Sequence, residues 1–194
     1  MSTHKPQTKS LNIEFTCTEI GGLWGVFYQE SMSFCFLTYF VKHVQDAEII
    51  PLAEEALKIA QGRISRIRKF FEDEHFPVPT AFTKADVNPD VPALFHDTFT
   101  LSYLYMMNRL SMVNYAYVAS NNVRLDVLDF FTECIHTSTE MFGKAVELML
   151  SKGIYDRPPK MNYPDKIEYV RDGSMISGFL SKNRPLNAIE LSEI

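Results

Sequence analysis

The sequence predicts an all-α protein in which four long helices form an antiparallel bundle, with a long crossover between the second and third. Three observations predict it. Apolar residues recur three and four positions apart over four separate stretches, the spacing that gives a helix one buried face. Short turn signals close two of the gaps between those stretches. The third gap, "FPVPTAFTKADVNPDVPALF" (76–95), holds four prolines and no sustained period, which no helix interior tolerates.

The first helix is expected over about 18–45, with Thr18 as N-cap and Glu19 favourable at the positive helix end. Its seam reads Ile20, Leu23, Phe27, Phe34, Leu37, Val41 and Val44. Gly21, Gly22 and Gly25 are poor helix formers near its start and point to a close approach by a neighbouring element. The second helix, about 49–75, has Pro51 in its first turn and a seam through Ala53, Ala60, Ile64, Ile67 and Phe71. So short a connection makes the first two helices an antiparallel hairpin.

About twenty extended residues span up to ~60 Å, more than the roughly 40 Å length of a helix of this size. The proline-rich segment is therefore long enough to run back along the bundle. The third helix is expected over about 97–120, with Leu101, Tyr105, Met112 and Tyr115 inward. "SNN" (120–122) is a turn, and the fourth helix runs over about 123–152 to Gly153, a good C′ residue. Its expected seam is Leu125, Leu128, Thr132, Ile135, Thr139, Phe142, Val146 and Met149. Two hairpins joined by a long crossover define a ferritin-like four-helix bundle over 18–152. Residues 1–17 read as loose. Residues 153–194 read as an irregular tail with at most one short helix near 174–180. Pro185, Asn187 and Glu190 then mark a helix start, and "SEI" (192–194) echoes "TEI" (18–20), as if a second repeat were opening.

Bulk properties narrow the function. A chain of 194 residues, 46% of them hydrophobic, fits one well-filled domain. A net charge of −5 argues against a nucleic-acid partner. The basic run "GRISRIRKF", with Arg63, Arg66, Arg68 and Lys69, reads as a solvated helix face. Cys17, Cys35 and Cys134 are too few and too scattered for a disulfide framework. No stretch has the length of a membrane span or the apolar core of a signal peptide. A soluble, cytoplasmic protein that neither crosses a membrane nor binds nucleic acid is the expectation.

Several longer stretches carry a resemblance. "TEIGGLWGVFYQESMSFCFLTYFVKHVQDAEIIP", "FPVPTAFTKADVNPDVPALFHDTF", "FFTECIHTSTEMFGKAVELMLSKGIYDRPP" and "RPLNAIELSEI" cover nearly the whole chain from about Asn12. Together they resemble an uncharacterised family of ferritin-like proteins from Bacillus and related spore formers, some of them labelled spore coat proteins. Many members look like two bundles in tandem, which implies that this chain is similar to a first half. The resemblance implies a ferritin-like fold and no reaction.

One position interrupts the first seam. In "FYQESMSFCF" (27–36) the buried site between Phe27 and Phe34 falls on Glu30. In carboxylate-bridged metal bundles two helices each supply a Glu and the other two a Glu-x-x-His, a donor set suited to iron or manganese. Here Glu-x-x-His occurs at Glu72–His75 and Glu133–His136. The register puts Glu30, Asn108, Glu133 and His136 at one level and leaves Glu72 and His75 at the bundle's end. A full dinuclear set is missing, since the third helix offers only Asn108 and the second nothing at that level.

Two readings of Glu30 follow. One is a buried hydrogen-bonded layer in which it pairs with His136, Asn108 or a tyrosine such as Tyr105, because an unpartnered buried carboxylate is costly. The other is a single iron or manganese ion on Glu30, Glu133 and His136. The matching functional readings are a non-enzymatic structural or interaction protein, spore-coat-like and spore-associated if the resemblance extends to role, and a degenerate metal-binding bundle. Aromatic residues off the seam, especially Phe36, Tyr39, Phe40 and Tyr103, suit a protein partner or homo-oligomer.

Overall fold

The computed structural model describes residues 13–158. The expectations for the first twelve residues and for the tail beyond 158 lie outside it. Four α-helices and one short 3-10 turn (Lys84–Asp86) make up its regular structure: α1 (Cys17–His43), α2 (Ile50–Asp73), α3 (Asp97–Ser120) and α4 (Leu125–Ser151). They form a helical bundle in one compact unit that ends at Tyr155. No helix among the described residues is long and apolar enough to cross a membrane.

The start of α1 differs from expectation for a clear reason. Thr16, not Thr18, is the N-cap: its hydroxyl accepts from the Glu19 amide at 3.2 Å. The Glu19 carboxylate answers by accepting from the Thr16 amide at 2.9 Å, which completes a capping box. Its other oxygen accepts from the amides of Val123 and Arg124 at 3.0 and 3.1 Å. Arg124 is the N-cap residue of α4. One fully buried carboxylate thus satisfies orphan amides at the starts of two helices. Burial alone would raise the Glu19 pKa, but the backbone donors from Thr16, Val123 and Arg124 outweigh it and hold the group below the usual carboxylate range.

At the other end of α4, Gly153 adopts φ +68°. The amides of Gly153 and Ile154 return to the carbonyls of Leu150 and Met149 at 3.1 and 3.0 Å. This is a Schellman closure, and it needs the left-handed conformation that glycine adopts without strain.

The segment between α2 and α3 lies along α1. The Phe82 amide donates to the Ser31 hydroxyl at 3.2 Å, His43 contacts the Pro89 carbonyl at 2.9 Å, and the Tyr39 hydroxyl bonds Pro92 at 3.3 Å. Asp97, at the start of α3, accepts from the Gln45 and Asp46 amides just past the end of α1. The Pro89 and Pro92 carbonyls, which no helix engages, are met by His43 and Tyr39 of α1.

Helices α1 and α3 run antiparallel. Gln29 donates to Ser111 at 3.0 Å, and Gly22 faces Val118 nearer the start of α1. A Cβ built on Gly22 would stand 2.6 Å from a Val118 methyl, whereas none of Gly21, Gly25 or Gly62 has a neighbour within 4 Å. Of the three glycines near the start of α1, only Gly22 marks a close helix approach.

Two registers differ from expectation. Helix α4 buries Val127, Phe130, Phe131, Cys134, Ser138, Met141, Ala145 and Met149, while Leu125, Thr132 and Thr139 are exposed. Its inward face is rotated from the expected one by about one residue, roughly 100°. Helix α3 buries Leu101 and Tyr115 as expected, together with Leu104, Ser111 and Val118, and leaves Tyr105 and Met112 half-buried toward α4.

Gly22→Ala is expected to destabilise the protein by about 1–2 kcal/mol through overpacking against the stiff Val118. Gly62→Ala, mid-helix and unobstructed, is expected to stabilise by about 0.5–1 kcal/mol. Thermal unfolding of the two variants beside the wild type checks the contrast, and shifts of the same sign would contradict it.

Candidate functional site

The interior divides into two apolar clusters. One is built on Leu37, Phe40, Ile49, Leu52, Leu101 and Met141. The other is built on Leu23, Phe27, Ile67, Phe71, Phe130 and Phe131. Between them all four helices contribute polar groups: Glu30 from α1, Arg63 from α2, Tyr115 and Ser111 from α3, and Ser138 from α4. This polar layer is the candidate site.

Arg63 is its hub. One guanidinium nitrogen donates to the Glu30 carboxylate at 3.3 Å and to the Tyr115 hydroxyl at 3.1 Å. The other donates to the Cys134 carbonyl at 3.1 Å and to the Ser138 hydroxyl at 3.0 Å. The Tyr115 hydroxyl also donates to Glu30, and the guanidinium lies 5.0 Å from the Tyr115 ring centroid. Groups from the other three helices therefore meet one planar cation on α2, whose fixed fork of donors suits several acceptors at once.

The electrostatics follow from burial. The Glu30 and Arg63 side chains are 5% and 10% exposed, so each would carry a large desolvation cost alone. Burial works against the Arg63 charge, yet the Tyr115 hydroxyl and the Glu30 carboxylate outweigh it and keep the guanidinium pKa above its ordinary value. Burial and the neighbouring Glu30 push the Tyr115 phenol well above its usual range. Burial also pushes the Cys134 thiol up to about 12. Neither the Tyr115 phenol nor the Cys134 thiol is poised to lose a proton near neutral pH.

A cavity of about 40 Å³ opens beside the layer, lined by Glu30, Ser33, Arg63, Tyr103, Asn108 and Ser111 among others. It is large enough for a water and has the polar lining that a buried water requires.

The residues singled out from the sequence are not gathered as expected. Glu30 is in the layer and Asn108 lines the same cavity, but the Asn108 amide donates to the Leu104 carbonyl of its own helix at 2.7 Å. Glu133 is 66% exposed and pairs with Arg66. His136 is 76% exposed and lies 3.3 Å from Glu140. Tyr105 instead packs its ring against Phe142 and Tyr155, with its hydroxyl 3.4 Å from that of Tyr155. The rotated register of α4 is the reason, because it turns Cys134 and Ser138 inward in place of Glu133 and His136. Among the described residues no group of three or more His, Cys, Asp or Glu is placed to hold a metal ion. The site that iron or manganese would need does not fit these residues, since its one inward carboxylate is bonded to a guanidinium and a phenol.

Sequence reasoning missed Arg63 and Ser138. The signal for Arg63 was present, because it stands three after Ala60 and four before Ile67, both on the expected seam. Ile64 satisfied the same spacing and was apolar, so the basic run was assigned to solvent.

Comparison with known proteins adds the family. A model for a protein of unknown function, DUF3231, matches residues 6–167. The chain belongs to the DUF3231 family. Among solved structures, it is similar to a candidate spore coat protein from Bacillus halodurans, with a TM-score of 0.68 and 20% sequence identity over 76% of this chain and 96% of that one. At that identity the likeness is one of fold. No curated protein matches the chain.

The layer makes a measurable statement about the three thiols. In native protein at pH 8, Cys17, which is exposed, is expected to alkylate first. Cys35, half-buried and donating to the Thr83 carbonyl at 3.4 Å, follows. Cys134 reacts only on unfolding. Peptide mass spectrometry of a labelling time course checks the order, and native labelling of Cys134 at the rate of Cys17 would contradict a closed layer.

Proposed function

We propose that this chain is a ferritin-like four-helix bundle with a crossover between α2 and α3, and that it acts as a non-enzymatic structural or interaction protein of the spore, in the manner of a coat component. The observation that carries this reading is the occupant of the bundle's centre. Where a catalytic bundle of this kind concentrates metal-binding carboxylates, this chain places a guanidinium that is already bonded to groups from the other three helices. The layer spends its polarity on joining helices, which suits a scaffold whose role is exercised at its surface.

The surface supports the same reading. Large apolar side chains stand exposed on α1 and α3, including Trp24, Tyr28, Leu110, Val113 and Tyr117, and such residues, when they adjoin, mark interaction sites. The likeness to the candidate spore coat protein supplies the setting.

Two measurements test the proposal together. Protein purified without chelator is expected to carry only traces of iron and manganese, in wild type and Glu30→Gln alike. A tagged copy produced in a sporulating Bacillus host is expected in the coat extract. Stoichiometric metal in the wild type that disappears in Glu30→Gln would overturn the non-enzymatic reading. Recovery confined to the soluble mother-cell fraction would overturn the spore role.

A further inference from the structure

Helix α3 is apolar on two faces. Its inward face holds Leu101, Leu104, Tyr115 and Val118. A second stripe runs through Phe99, Tyr103, Met106, Leu110, Val113 and Tyr117, at intervals of four and three residues. Tyr103 is half-buried, while the other five are 44% to 70% exposed. From Phe99 to Tyr117 the stripe is about 27 Å long at 1.5 Å per residue.

We infer that this stripe is the interface of a homodimer, in which α3 of one copy packs antiparallel against α3 of a second copy about a twofold axis. The inference rests on the interaction reading above and names its partner. Three features favour a second copy. Alternating intervals of four and three are the seam by which one helix interlocks with another of like spacing, knobs into holes. Between 98 and 120 the only charged residue is Arg109, which lies off the stripe, so self-pairing opposes no like charges. A chain-foreign partner with a charged docking face would leave its charges unanswered there.

Area is the third feature. Phe99 and Tyr117 are aromatic, of a class that presents about 150–250 Å² each, and with the smaller Met106, Leu110 and Val113, all roughly half exposed or more, the five amount to a few hundred Å² per copy. Phe36 adds to that area, since it is itself exposed and its ring contacts Tyr103 at 5.5 Å. A stable interface buries about 800 Å² per partner, which is the same order. Beside the stripe, Gly21 and Gly25 of α1 and Tyr117 of α3 line a groove of about 310 Å³. Neither glycine has a neighbour within 4 Å of a built Cβ, so the groove has room for a partner's side chain.

The test is the mass of the full-length protein in solution, by sedimentation or light scattering over a concentration series. Wild type is expected at twice the chain mass of 22.3 kDa. Leu110→Glu and Leu110→Lys, each placed on an exposed position, are expected to raise the dissociation constant at least 100-fold with unchanged helicity. Mixing the two variants is expected to restore the dimer, because the opposed charges then attract. Val123→Glu, exposed but off the stripe, is expected to leave the dimer intact. A wild-type monomer at every concentration would overturn the inference while leaving the spore role to its own test. A dimer that persists in both Leu110 variants would overturn this face and leave an interaction protein that pairs elsewhere.

Discussion

A carboxylate and a guanidinium buried at the middle of a bundle set the terms for everything around them. Neither Glu30 nor Arg63 tolerates that position without the other, since each would otherwise be an uncompensated charge out of water. Their mutual bond still leaves guanidinium donors to be satisfied, and the chain supplies Tyr115, Ser138 and the Cys134 carbonyl at the same height. Meeting these demands together requires one rotation and one translation of each helix. The layer therefore admits only the register that brings these groups together, alongside two close-packed apolar clusters.

The helix ends show the same principle on a smaller scale. Glu19 serves the first amides of α1 and the amides that open α4, so the relative placement of two termini depends on one carboxylate. Lys152, beyond the end of α4, reaches Asp46 and Glu48 in the turn between α1 and α2, each at 2.7 Å. Asp97 does comparable work between α1 and α3 through the amides of residues 45 and 46. Ends that carry orphan backbone groups are tied by charged side chains, while the middles are tied by the layer.

How legible all this was depends on the element. Helix existence and the proline-rich connection follow from period and composition, and they are plain in the sequence because both are local properties. Register is not local. On α4, Leu125, Leu128, Ile135 and Phe142 make as regular a stripe as Val127, Phe130, Cys134 and Met141. Only packing against α2 and α3 decides which stripe turns inward. That ambiguity moved Glu133 and His136 into a site they do not occupy and hid Ser138. Glu30 was legible as an anomaly, because a charge on a seam is visible one helix at a time. Its partner was not, because Arg63 competes with Ile64 for the same seam and hydrophobicity favours the isoleucine. Tyr115 was recognised as inward, yet nothing in the sequence sets its hydroxyl at the height of Glu30. The outward stripe of α3 was hidden for a related reason: a helix apolar all round has little amphipathic contrast, and the surplus face shows only when the core has taken the other.

The central claim is that Glu30 and Arg63 act as one unit, and a double-mutant cycle in chemical denaturation measures that most directly. Glu30→Gln, Arg63→Met and the double variant are compared with wild type. Each single change is expected to cost about 3–5 kcal/mol, because it leaves a buried charge without its partner. The double variant is expected to cost less than the sum of the two, by about 2 kcal/mol or more. Additive costs, with the double variant losing the sum of the singles, would contradict the account and return Glu30 to the search for a different partner.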